Sequence, residues 1–134
     1  MAVQYSVAVR NAQLDQFETT AGVSAHLHLR SGAAPVDCAT AASGTLLADI
    51  TLPSDWMNAA STGTKTKLGT WSGTGAAAGS VGHFRIVDSA GTTCHAQGSV
   101  TVTGSGGDMT VDNAVVAASQ VVTVNTFTLS DANA

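Results

Sequence analysis

The stretch "AHLHLR", residues 25–30, holds two of the chain's four histidines and one of its five basic residues. His26, His28 and Arg30 alternate with Ala25, Leu27 and Leu29. On a strand, residues two apart share a face at a separation of about 7 Å. The histidines and the arginine then project together while the leucines enter the core. A His-x-His pair on a strand can ligate a metal, but a zinc site needs a third and a fourth ligand in tetrahedral array. The candidates are His83, His95, Cys38, Cys94 and scattered aspartates, and none stands in a spacing such as Cys-x-x-Cys or His-x-x-x-His. The alternation therefore reads as a polar outward strand face. No metal, no cofactor and no catalytic residue is assigned.

"GHFRIVD" repeats the pattern. His83, Arg85 and Val87 share one side of a strand, Phe84 and Ile86 the other. If the two strands are neighbours, His26, His28, Arg30, His83 and Arg85 form one His/Arg-rich patch. That patch is either a solvated face with cross-strand polar pairs, the preferred reading, or an interaction surface for an acidic partner.

Other arrangements carry less. Cys94 stands beside His95, and strand neighbours point to opposite faces, so this histidine is no base for this thiol. Cys94 reads as a small buried hydrophobe. If Cys38 lies next to it, a disulfide between Cys38 and Cys94 would staple an Ala-rich loop to the sheet. Glu18 is the only glutamate and falls on the polar side of a helix, so no carboxylate pair is set up for acid–base work. "GTGAAAG" lacks the Lys-Ser/Thr ending of a phosphate loop. Trp56 and Trp71 read as core anchors before they read as stacking platforms for a sugar. The chain is not expected to be an enzyme.

These residues have to be placed by some fold, and the totals bound it. The length of 134 residues fits one domain spanning 1–134, which can bury roughly two-thirds of its unfolded surface without metal or disulfide. Charged residues make up only 10% of the chain, against about a quarter in a typical domain. A surface so poor in charge is weakly protected against association, so a homo-oligomer or a protein partner is expected. The net charge is −4 with only five Lys and Arg. That leaves no cationic footprint for nucleic acid or for an anionic membrane. "MAVQYSVAVR" lacks a basic segment followed by an apolar run, so synthesis in the cytosol without signal-peptide export is expected. Free thiols at synthesis follow from that.

Along the chain, Val7, Leu14 and Ala21 recur every seven residues, with Phe17 three after Leu14. They mark the apolar stripe of an amphipathic helix at about 6–21. Ser6 is its cap and Gly22 its left-handed end. Val3, Tyr5, Val7 and Val9 also alternate as a strand would. Everything from about 23 to 130 reads as strand and loop. The strands are "VSAHLHLRSG", "TLLADITL", "KTKLGTWS", "HFRIVD", "TCHAQGSVTVT" with a bulge at Gly98, "DMTVDN" and "SQVVTVNTFTLS". "PSDWMNAAS" reads as one helical turn, and 33–43 and 73–82 read as flexible loops. Such spacing predicts a mainly β fold, an antiparallel β-sandwich or jelly-roll-like barrel of about seven or eight strands with one N-terminal helix.

The opening "MAVQYSVAVRNAQLDQFETTAG", then "DITLPSDWM", "GTW", "GHFRIVDSAGTTCHAQGSV", "GGDMTVDN" and the closing "VVTVNTFTLSDANA" resemble a family of small virion proteins of tailed bacteriophages. The resemblance covers nearly the whole chain and brings no catalytic residues with it. It implies a β-rich capsid decoration (cement) protein located in the virion and bound to the major capsid protein or other virion proteins. Tail, neck or fibre placement is the alternative within the same class. A carbohydrate-binding β-sandwich using Trp56 or Trp71 is the alternative outside it. Decoration implies that Val7, Leu14 and Phe17 pack on the sandwich while loops 33–43 and 73–82 touch the shell.

Overall fold

A computed structural model describes residues 3–131. One helix, α1 (Val7–Ala21), precedes nine strands. These are β1 (His26–Ser31), β2 (Leu46–Thr51), β3 (Thr64–Thr66), β4 (Ser72–Thr74), β5 (Gly79–Val87), β6 (Cys94–Val102), β7 (Met109–Val111), β8 (Val115–Val116) and β9 (Val121–Ser130). The fold is mainly β with one N-terminal helix, as the strand spacing predicts.

The nine strands form one sheet in the order β2-β1-β5-β6-β7-β9-β3, with β4 also paired to β9 and β8 to β5. The sheet curls. An antiparallel bridge between Ala48 and Gly75 brings the β2 edge to the β4 side, and Ala76 N–H donates to the Leu47 carbonyl at 2.7 Å. Thr- and Val-rich strands suit such a pleated, half-buried surface.

Inside the curl, side chains alternate with the strand period. Leu27 and Leu29 of β1, and Phe84 and Ile86 of β5, are buried as the alternation predicts. An aromatic run crosses the core from Phe17 through Trp56, Trp71 and Phe127 to Phe84, with ring centroids 5.5, 5.8, 5.7 and 5.4 Å apart in turn. Each such pair adds about 0.5–1.5 kcal/mol beyond the area it buries. Both indoles are also tied. Trp56 Nε1–H donates to the Gly22 carbonyl at 3.1 Å, and Trp71 Nε1–H to the Leu68 and Trp56 carbonyls at 3.1 and 3.2 Å.

The helix begins and ends at the expected residues. Ser6 Oγ accepts from Val9 N–H at 3.3 Å. Gly22 gives its N–H to the Glu18 carbonyl, but at φ +85° and ψ 177° it leaves the helix in an extended positive-φ conformation rather than the left-handed turn expected. The inner face of the helix is not the expected one. Leu14 and Ala21 are buried and Phe17 packs on the core, but Val7 is 45% exposed. Asn11, Asp15 and Glu18 share the inner stripe with them and accept hydrogen bonds from residues 56–63. Helical spacing set the stripe, and its residues are half polar.

Four further expectations need correction. "PSDWMNAAS" forms no helical turn: Met57 bridges Lys67, and the backbone N–H groups of Trp56 and Met57 go to Glu18. "KTKLGTWS" is not one strand, because Gly69 at φ +75° splits it into β3 and β4. Segment 73–82 is largely sheet, with Thr74 in β4 and Gly79 opening β5. Gly98 is no bulge, since it pairs regularly with Phe84. It is glycine because a Cβ there would come within 2.8 Å of the Phe84 ring and 2.9 Å of Asp108 Oδ2.

The sheet also holds one parallel pair, β6 with β7. After Val102 the chain doubles back over six residues, through Gly104 and Gly106 at positive φ. Asp108 Oδ2 then accepts from Ser99 N–H and Oγ–H, both at 2.9 Å, and starts β7 beside β6 in the same direction. Residue alternation carries no record of strand direction, so the antiparallel expectation fails there.

Candidate functional site

Strand β1 lies between β2 and β5, antiparallel to both. In register, His28 faces Arg85 and Arg30 faces His83 across the β1–β5 pair. All five residues, His26, His28, Arg30, His83 and Arg85, therefore come together on the sheet face opposite the core. The leucine and Phe84/Ile86 rows take the other face.

That face is not open as a whole. Segment 33–43 folds over it. Arg85 Nη2–H donates to the Cys38 carbonyl at 2.7 Å and Nη1–H to the Thr40 carbonyl at 3.0 Å. His83 Nδ1 and the Gly32 carbonyl are 2.9 Å apart. Gln97 Nε2–H donates to the Pro35 carbonyl at 2.7 Å. His83 is 1% and Arg85 4% exposed, so neither offers surface to a partner. The solvated-face reading fails for these two residues, and so does the contact-surface reading. The missed signal is "SGAAPVDCATAASG": a run of small residues can lie flat on a sheet and present its carbonyls.

The cover brings the cysteines together. Cys38 Sγ and Cys94 Sγ lie 2.6 Å apart as free thiols, both half-buried, and Cys94 Sγ also points at the Ala96 carbonyl at 3.4 Å. Cys94 is thus one half of a thiol pair rather than an isolated apolar filler. Burial and the neighbouring Cys94 thiol push the Cys38 thiol up to about 11, against the weaker pull of Arg85. A thiol so raised is a poor nucleophile at neutral pH. A cavity of about 180 Å³ lies beside the pair, and His28, Arg30 and Arg85 line it too.

At the other edge of the face, β2 contributes Asp49, the cross-strand neighbour of His28. Asp49 Oδ1 lies 2.7 Å from His26 Nδ1 and 3.6 Å from His28 Nε2. The side chains of His26, His28 and Asp49 are 25%, 12% and 43% exposed. One ligand-type atom from each falls within 4.8 Å of the others. Burial pulls the His28 imidazole below the usual histidine range; Asp49 opposes the shift and Arg30, His26 and Arg85 add to it. The sequence offers Asp49 only as one aspartate among several, because its partner strand is not encoded locally.

A second polar cluster lies under α1. Lys65, on β3, is 2% exposed. Its ammonium donates to Asp15 Oδ1 at 2.7 Å and to the Asn58 carbonyl at 2.9 Å, with Glu18 Oε1 at 3.3 Å. Glu18, expected on the outer polar side, faces inward and accepts from the Trp56 and Met57 N–H groups at 3.0 and 2.8 Å. Trp56 and Trp71 are both fully buried, which removes them as stacking platforms for a sugar.

Comparison with protein-family models, with curated proteins and with solved structures finds no match for this chain.

Proposed function

We propose that this chain is a structural protein of a tailed-bacteriophage particle, a capsid decoration protein bound to the major capsid protein and to copies of itself. The observation that carries the reading is the exposed apolar run at the start of the chain. Val3, Tyr5, Val7 and Val9 are 74%, 48%, 45% and 43% exposed within seven residues. An exposed apolar stretch on a charge-poor surface favours burial against another protein. A multivalent lattice then supplies affinity without a deep pocket. The extended resemblance of the sequence to small phage virion proteins supports the same reading and the virion as its location.

The other readings fare worse. The carbohydrate-binding reading rests on Trp56 or Trp71 as the stacking platform, and both are buried. An enzyme would need a nucleophile or an acid–base pair, and burial with the neighbouring Cys94 thiol raises Cys38 to about 11, which makes it a poor nucleophile at neutral pH. Nucleic acid would need exposed cations, but Lys65 and Arg85 are buried and Arg10 Nη1–H donates to the Asp131 carbonyl at 3.0 Å. The N-terminal run joins segment 33–43 as a candidate shell contact, since 33–43 packs its carbonyls on the sheet but keeps Val36 89% exposed, while 73–82 is mostly strand.

The deciding experiment is the copy number of the chain in purified particles, by quantitative mass spectrometry against the major shell protein. A ratio near unity or a simple fraction of it is the expected result. A handful of copies per particle moves the chain to the neck, tail or a fibre. Absence from particles overturns the proposal.

A further inference from the structure

We propose that His26, His28 and Asp49 form a binding site for a divalent transition-metal cation of the zinc class, with a fourth ligand taken from outside the chain.

The geometry of the backbone carries the argument. His26 and His28 are two apart on β1 and share a face, and Asp49 sits opposite His28 on β2. This puts two imidazoles and a carboxylate on one small area without any loop being required to close. Zinc holds nitrogen and oxygen ligands at about 2.0–2.2 Å in a tetrahedron, which sets neighbouring ligand atoms roughly 3.3–3.5 Å apart. His28 Nε2 and Asp49 Oδ1 are already 3.6 Å apart. His26 Nδ1 and Asp49 Oδ1, at 2.7 Å, are in hydrogen-bond contact. A cation entering between them replaces the shared proton, and rotation of the exposed Asp49 carboxylate supplies the extra separation.

The donor set selects the ion. Two imidazoles with one carboxylate suit zinc, copper or nickel, whereas calcium and magnesium call for oxygen ligands throughout. The charges nearby shape the fourth position. One carboxylate neutralises half of a divalent charge, and Arg30 and Arg85 stand on the same face beyond His28. The outside ligand is therefore favoured when it is anionic, such as hydroxide or a carboxylate of a neighbouring molecule. Access is open, because Asp49 lies on the edge strand and is 43% exposed. Bound there, the metal cross-links the edge strand β2 to β1. The site does not depend on the virion reading.

The thiols are the competing ligands, because Cys38 and Cys94 share a cavity with His28. The test is made on the untagged full chain, stripped with chelator and kept reduced. Zinc is titrated by calorimetry, and cobalt(II) replaces it for absorption spectra. The expected result is one equivalent of zinc bound, a rise in melting temperature on saturation, and tetrahedral cobalt bands with no thiolate charge-transfer band. His28→Gln and Asp49→Asn should each weaken binding at least about tenfold. Cys38→Ser/Cys94→Ser should bind as the parent does. Asp49→Asn is the safer variant, since an exposed edge position tolerates it, and circular dichroism confirms the fold of each protein. The proposal is overturned if the folded parent binds no zinc at millimolar concentration. It is equally overturned if binding survives both His28→Gln and Asp49→Asn but is lost in the double cysteine variant.

Discussion

The helix α1 and the segment 33–43 do the same task by different physics. Each covers part of the sheet and each meets a buried cation beneath it. Under the helix, Lys65 finds carboxylates, Asp15 at 2.7 Å and Glu18 at 3.3 Å. Under the loop, Arg85 finds the carbonyls of Cys38 and Thr40 and, among the described residues, no carboxylate within ion-pair distance. Asp37 is near enough for Arg85 to help lower its pKa, though its own bonds to Thr40 do more. The choice of cation fits. A guanidinium spreads its charge and offers five donors in a planar fork, which two carbonyls can satisfy in part. An ammonium is a compact, strongly hydrated charge that needs an anion once buried. The helix is therefore held by ion pairs plus an apolar stripe, and the loop by a few directed hydrogen bonds. The loop is the part expected to open locally.

The strongest way to break that contrast is to give the loop a covalent tie. Glutathione disulfide should convert the Cys38 and Cys94 thiols to a disulfide, releasing two glutathione thiols per bond formed. The ring so closed spans a sequence separation of 56 residues. On the chain-entropy account that stabilises the fold by about 4 kcal/mol. Urea denaturation of oxidised and reduced protein measures it, with intact mass confirming the loss of two hydrogens. The Cys38→Ser variant should gain nothing from the oxidant. An oxidised protein no more stable than the reduced one would mean that the loop is already as well held as the helix.

The same substitution made in both regions sharpens the comparison. Lys65→Met leaves Asp15 and Glu18 facing each other without their cation, and should cost about 2–3 kcal/mol, less than a fully buried pair because Asp15 is half-exposed. Arg85→Met removes a charge that has no anion to strand. Its global cost should stay within about 1 kcal/mol, since the Cys38 and Thr40 carbonyls it leaves belong to a partly exposed loop and can turn to water. Its effect should show instead as faster limited proteolysis within 33–43. Equal losses of global stability in the two variants would show that the carbonyl-held arginine is as integral as the ion-paired lysine.

The difference between the two covers also explains what the sequence could show. The helix ends are local chemistry: Ser6 caps and Gly22 terminates because of what those residues are. The inward leucines of β1 are also local, because a period of two is written residue by residue. What lies over a face is not local. Glu18 looks like an outer residue until loop 56–63 presents two N–H groups to it. Arg85 looks solvated until an Ala-rich segment more than forty residues away lays its carbonyls on it. Asp49 becomes a neighbour of two histidines only through the β1–β2 register. The one parallel strand pair depends on a turn that doubles back, and strand patterning is blind to direction. The patch of His26, His28, Arg30, His83 and Arg85 was thus legible as a set, and the burial of His83 and Arg85 within it was not.

The smallest expected effect separates the two regions by pH. Asp15 has its pKa lowered, chiefly by the Lys65 hydrogen bond and then by the Ala60 N–H. A lowered carboxylate contributes stability above its unfolded pKa, near 3.8, and loses it as pH falls through the folded value. Cys38 is raised, to about 11 from 9.0. A raised thiol contributes stability that is fully present below pH 9.0 and lost as pH rises toward 11. The helix cover should therefore weaken at the acid end, where the lowered Asp37 also acts within the loop, and at the alkaline end only the loop cover should weaken. Asp15 and Cys38 are both partly solvated, so the effect of each should stay below about 1 kcal/mol. Melting temperatures across pH, in the presence of reductant, measure it. Asp15→Asn should flatten only the acid side of the profile, and Cys38→Ser only the alkaline side. If either variant flattened both sides, the two covers would be coupled through the sheet and the contrast between them would fail.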